Sequence, residues 1–218
     1  MIGFFNWFTK ITGWLAQKLC FRTKIYYEAK KVQGRHVRGS AIVISNHTSV
    51  YDYAVFLFVL FSRTVRYQMA EVLFKKAWLR NFLKAMGGIF VDRNSNDFSF
   101  IDKSQDVLAK GGVVGVFPEG RLPKEGEARP LEFKPGVTQL ALTANVPIIP
   151  LYTNGKYFQK ERARVIIGKP IYVSELYDGT QDYKTNLEEI TKKLRKRIVE
   201  LGNELEGKIK NEKKEQKR

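Results

Sequence analysis

Two residues suited to moving protons, His47 and Asp52, stand four spacers apart in the stretch AIVISNHTSVYD, directly after the apolar run Ala41 to Ser45. A histidine with one ring nitrogen held by a carboxylate keeps a fixed tautomer and leaves the other nitrogen free to take a proton, as a general base requires. If a helix begins around Ser49, the loop histidine and the first-turn carboxylate come within hydrogen-bond reach. The positive helix start opposes an imidazolium there, so it partly cancels the carboxylate. So short a pattern arises easily by coincidence. Its position after a buried strand adds weight, because open α/β sheets bind ligands beyond the carboxyl ends of their strands. The other histidine, His36, sits in a turn between Arg35 and Arg38 and is assigned no role.

Three further stretches end or begin strands with residues suited to an anion. GGIFVDR closes on Arg93, FPEGR places Glu119, Gly120 and Arg121 after a strand, and VPIIP, from Val146 to Pro150, opens a third. Arginine forks bind phosphate bidentately, so two on neighbouring strand ends would make an anion pocket beside the histidine. The alternative for Arg93 is a salt bridge to Asp92 or Asp97. For Glu119 it is a loop carboxylate that only bonds backbone amides after Pro118.

These residues need a scaffold, and the pattern supplies strand and helix in alternation. Strands are expected at Lys24 to Val32, edge-like, and at 41–45, 65–70, 88–91, 113–117, 146–152 and 164–167. Helices are expected from Asp52 to about Ser62, and at 74–85, 98–110 and 136–144. A last helix from Asp182 sets Tyr183, Leu187, Ile190, Leu194, Ile198, Leu201 and Leu205 on one stripe. The fold class this predicts is α/β: one domain with a mainly parallel central sheet flanked by helices, and His47, Arg93 and Glu119 at one end of it.

Ahead of the domain, residues 2–20 place Phe4, Phe8, Ile11, Leu15 and Leu19 at helical spacing, widened by Phe5, Trp7 and Trp14, with Lys10 and Gln17 on the other side. The run is too short and too interrupted for a membrane span and lacks the features of a signal peptide. It reads as a helix lying in a membrane surface; the alternative is a helix packed on the protein's own core. The expected organisation is an amphipathic membrane-associating helix over 1–22, one globular domain over 23–207 and a basic solvated tail over 208–218.

The 218 residues suit one substantial core. Lys plus Arg number 38 against 22 Asp plus Glu, leaving +16, so a polyanion is the expected partner: nucleic acid, an anionic membrane surface or an acidic carrier protein. Nucleic acid is disfavoured by the lack of a basic-aromatic RNA signature, zinc module or helix-turn-helix. A single cysteine, Cys20, excludes an internal disulfide, and without a Cys/His cluster no metal site is expected. A hydrolase using the same His and Asp would lack a nucleophile elbow, and a basic binding protein without catalysis would have no use for the pair.

In combination, NHTSVYD, GGIFVDR, FPEGR and VPIIP, in that order over roughly residues 24–170, resemble the glycerophospholipid acyltransferase family, specifically its 1-acylglycerol-3-phosphate acyltransferases. The resemblance implies that His47 is the catalytic base and Asp52 its orienting carboxylate. It implies that Arg93, with Glu119, Gly120 and Arg121, holds the acceptor's phosphate. One departure is that Arg121 follows Gly120 directly, where the family usually has Thr or Ser between them; Lys134 of FKPG matches a basic position and offers a second cation. The implied reaction passes a fatty acyl group from a thioester, acyl carrier protein or coenzyme A, to the free hydroxyl of lysophosphatidic acid, giving phosphatidic acid with no cofactor. Another lysophospholipid or polar lipid is the alternative acceptor. The implied setting is the cytoplasmic face of the cell membrane, as a peripheral protein.

Overall fold

The computed structural model describes residues 1–95, 97–158 and 162–216. Seven strands form one sheet in the order β1-β7-β6-β2-β5-β3-β4. They are β1 Lys24–Tyr27, β2 Ala41–Ser45, β3 Val65–Ala70, β4 Ile89–Val91, β5 Val113–Val116, β6 Ile148–Thr153 and β7 Arg164–Ile167. Every pairing is parallel except β6 with β7. The expected mainly parallel α/β sheet is therefore the observed one.

β2 lies near the middle, between β6 and β5, with Val43 paired to Ile149 on one side and Gly115 on the other. All five of its residues are buried. That burial explains the unbroken apolar run: alternate side chains enter different cores, so neither face can be polar. Ala41 and Val43 join Val55, Phe56, Tyr67 and Met69 under α3 (Asp52–Val59) and α4 (Ala77–Ala85). Ile42 and Ile44 join Val114, Leu140, Ile190, Leu194 and Ile198 under α5 (Ser99–Ala109), α6 (Gly136–Ala144) and α7 (Tyr183–Glu215).

Four elements differ from the expected pattern. The edge strand stops at Tyr27. The helix expected over 74–85 is a 3-10 turn, Glu71–Phe74, followed by α4. The N-terminal run breaks at Gly13 into α1 (Ile2–Thr12) and α2 (Trp14–Cys20). Finally, α7 does not end at Gly207 but continues to Glu215, where a solvated tail was expected. The extra turns are held by Glu212, which bonds Lys24 and Tyr26 of β1, and by Ile209, which packs against the core. Of the expected tail, Lys217 and Arg218 lie outside the described residues.

The first two helices are inverted relative to an ordinary surface helix. Phe4 is 71% exposed and Leu19 70%, while Asn6, Lys10 and Gln17 are buried. Lys10 donates to the carbonyls of Leu60, Phe61 and Arg63 at 3.3, 2.9 and 2.7 Å. It thereby holds the turn that follows α3; the helix's own last carbonyls, of Phe58 and Val59, which have no partner within the helix and carry its negative pole, are taken by Arg35 at 2.6 and 2.9 Å.

Candidate active site

β2 ends at Ser45, and the next residue ties the strand end down. Asn46 Nδ2 donates to the Thr153 carbonyl at 2.9 Å, and its Oδ1 accepts the Thr153 amide at 2.9 Å, which stitches the ends of β2 and β6 together. His47 follows in the loop leading to α3. Its Nδ1 lies 2.8 Å from Asp52 Oδ2.

Asp52, the first residue of α3, is fully buried. Its Oδ2 also accepts the amides of Thr48 and Ser49 at 2.6 and 3.0 Å. Its Oδ1 accepts the hydroxyls of Thr48 and Tyr157 at 2.8 and 2.6 Å. A carboxylate with this many donors is an acceptor only, so His47 Nδ1 carries the hydrogen and Nε2 is left as the basic nitrogen. Tyr157 was not singled out from sequence; it lies 105 positions from Asp52 in a loop after β6. Its hydroxyl also meets Thr153 Oγ1 at 2.9 Å. Burial first, and then the Asp52 charge, push the Tyr157 phenol well above its ordinary value, so it remains a donor.

The FPEGR segment builds the other wall. Phe117 stacks on the His47 ring with centroids 4.1 Å apart and planes 17° apart. Tyr67 also stacks on Phe117, with centroids 5.5 Å apart. That aromatic column passes over Gly115, where a Cβ would come within 2.4 Å of the Tyr67 ring. Glu119 is buried and faces inward: it accepts the His47 amide at 2.7 Å and the Leu131 amide at 2.8 Å. Both carboxylate oxygens are thus committed to backbone. The structure thus places Glu119 as the alternative reading had it, a carboxylate bonded to backbone amides, which suits a buried anion better than a second anion would. Burial raises its carboxyl while the two amides pull the other way.

The cations separate. Arg93 places Nε and Nη2 on the two oxygens of Glu71 at 3.0 and 2.9 Å and Nη1 on the Gly120 carbonyl at 3.1 Å. The partner is therefore Glu71, not Asp92 or Asp97, and the guanidinium holds the Glu71 carboxyl down to about 2. Among the described residues two of its five N–H groups remain free. Gly120 sits at φ +70, and a Cβ there would meet Lys134 Cε at 2.9 Å and Nζ at 3.1 Å. Arg93 and Lys134 consequently converge on Gly120, one residue after Glu119. Arg121 turns away and closes its fork on Glu127 of the following loop, at 2.7 Å to each oxygen. Its missing spacer after Gly120 was the signal for this displacement. Among the described residues no group of His, Cys, Asp and Glu is arranged to hold a metal.

Comparison with known proteins bears on this geometry directly. The family model described as Acyltransferase matches residues 25–154, which include the His47 loop, Arg93, the Glu119 segment and the ends of β2 and β6. The chain belongs to the acyltransferase family. It is 29% identical over 147 residues to the 1-acyl-sn-glycerol-3-phosphate acyltransferase of Bacillus subtilis, an alignment covering 65% of this chain and 71% of that protein. It is 25% identical over 171 residues to the beta form of the human enzyme, covering 76% and 60%. Against the human alpha form the figures are 34% over 128 residues, 56% and 44%, so the chain spans about half of that relative. The crystal structure of the 1-acyl-sn-glycerophosphate acyltransferase of Thermotoga maritima superposes with a TM-score of 0.62 over 92% of this chain and 79% of that one, at 18% identity. This acyltransferase thus shares that protein's fold.

Proposed function

We propose that this acyltransferase moves a fatty acyl group from a thioester to the free hydroxyl of 1-acyl-sn-glycerol-3-phosphate, forming phosphatidic acid. The observation that carries the reading is the His47–Asp52 pair: a buried carboxylate fixes Nδ1 as donor, so Nε2 faces the acceptor as a base. In the reaction, Nε2 takes the hydroxyl proton as that oxygen attacks the thioester carbonyl, and the thiolate of the acyl donor leaves. Asp52 stabilises the imidazolium so formed. Acyl carrier protein or coenzyme A serves as the donor, and both are anionic partners for a chain of charge +16.

The acceptor's phosphate is met by Arg93 and Lys134, which flank Gly120; Arg121 is secondary because its guanidinium turns to Glu127 and Leu122, whereas Arg93, though paired with Glu71, still reaches the Gly120 carbonyl. The exposed apolar faces of α1 and α2 rest on the membrane in which acceptor and product reside, so the protein is peripheral on the cytoplasmic face. No helix among the described residues is long and apolar enough to cross a membrane.

The test pairs lysophosphatidic acid and a neutral monoacylglycerol with both thioester donors. Arg93→Ala and Lys134→Ala each raise the apparent KM for lysophosphatidic acid by roughly tenfold, as expected for a lost charged hydrogen bond, and leave the neutral acceptor unchanged; Arg121→Ala has the smaller effect. Equal effects on both acceptors would remove the phosphate from the account.

A further inference from the structure

The sheet that delivers His47 at one end frames a cavity at the other. At the amino ends of β3 and β5, a cavity of about 430 Å³ is lined by Arg63, Thr64, Arg66, Lys110 and Val113, with Ile2 of α1 at its side. It lies at least one strand away from the Glu119 segment, roughly 13 Å for the four residues of β5.

The charges here differ in kind from those beside His47. Arg93 and Arg121 are each neutralised by a glutamate fork. Among the described residues Arg63 and Arg66 are held by carbonyls alone. Arg63 gives its two Nη groups to Val37, Gly39 and Gly111 at 3.1, 3.1 and 2.6 Å. Arg66 gives Nε to Gly87 at 3.1 Å, and both Nη groups are free among the described residues. Lys110, exposed just past the end of α5, has no side-chain partner among the described residues, and no carboxylate lines the cavity. Carbonyl bonds fix a guanidinium in place without cancelling its charge, so three positive charges share one concave wall, where field lines concentrate and a compact anion is drawn in.

From this we infer that the cavity is a second anion site, one that takes a phosphomonoester. The free Nη groups of Arg66 and the ammonium of Lys110 grip the phosphate oxygens, and Arg63 supplies fixed charge behind them. Ile2, half-buried beside the cavity, belongs to the first turn of α1, the helix whose opposite face exposes Phe4 and Phe8, so a lipid headgroup and a soluble phosphate ester are both able to bring that group. The inference does not depend on the acyl-acceptor reading, because its test involves no turnover.

The full chain is sedimented with phosphatidylcholine vesicles carrying either phosphatidic acid or phosphatidylserine at matched surface charge. Lys110→Gln and Arg66→Gln each weaken binding to the phosphatidic acid vesicles about fivefold, the increment typical of one basic residue at a membrane. They leave phosphatidylserine binding within about twofold, and Lys214→Gln on α7 changes neither. Lys110 is exposed, so its variant remains informative should Arg66→Gln fold poorly. In a second arm, amine acetylation of Lys110 is mapped by mass spectrometry with sn-glycerol 3-phosphate or with phosphatidic acid vesicles. Protection by the soluble ester supports the site and names a soluble ligand; protection by vesicles alone supports it and names a lipid headgroup. Equal losses on both vesicle types, or no protection by either ligand, would overturn the inference.

Discussion

Asp52 holds the candidate catalytic loop together as well as orienting one ring, since it accepts two amides and two hydroxyls besides His47. The Tyr157 hydroxyl fixes the carboxylate from the side opposite His47 and touches no reacting atom, so it is a positioning residue. Tyr157→Phe is expected to lower kcat roughly tenfold with little change in acceptor KM, the loss of a hydrogen bond to a charged group being felt in the orientation of the base. Steady-state kinetics decide it, and a change confined to KM would contradict a positioning role. Glu119→Gln tests the companion contact. An amide offers one acceptor where the carboxylate offered two, so either the His47 or the Leu131 amide loses its partner. Its kcat falls equally with lysophosphatidic acid and monoacylglycerol; a rise in KM restricted to the phosphate-bearing acceptor would restore Glu119 to the phosphate. His47 and Asp52 were legible because short spacing confines them to one loop. Tyr157 was not, because only the return of the chain after β6 brings it to Asp52.

At the scale of elements, the inverted N-terminal helices join their exposed apolar face to the catalytic loop through α3, which begins at Asp52 and leads into the turn that Lys10 holds. Burial lowers the Lys10 ammonium from 10.5 to about 8. Between those values the unfolded chain binds more protons than the folded one, so the Lys10 contribution to stability grows as pH rises from about 8 to 10.5. Replacing Lys10 with Met removes that growth. Denaturant unfolding of parent and variant at several pH values measures it: the parent gains on Lys10→Met across this window, and a constant difference would show that the ammonium is not buried. Apolar periodicity gave α1 and α2 from sequence. The break at Gly13 and the depth of Lys10 were hidden, since a lysine on the polar side of a helix reads as solvated until three carbonyls appear opposite it.

For the whole molecule, the alternation of strand and helix was enough to read a mainly parallel α/β sheet, because strands buried on both faces need apolar runs and the intervening helices need one apolar stripe. What periodicity could not give was strand order, the antiparallel β6–β7 pair and the continuation of α7 to Glu215, where the charge pattern of NEKKE conceals the packing of Ile209 and Glu212. Sheet order is what sets the ends of β2, β5 and β6 side by side, and so gathers residues as distant in sequence as His47, Glu119 and Tyr157 around one carboxylate and one imidazole. The central claim is that this imidazole is the base of an acyl transfer. Its most direct measurement is the rate of phosphatidic acid formation from lysophosphatidic acid and an acyl thioester by the parent and by His47→Ala, with circular dichroism confirming that both are folded. The account predicts a fall of about a hundredfold or more in kcat, as expected for loss of a general base, with the acceptor still bound; a folded His47→Ala variant that turns over at the parent's rate would contradict it.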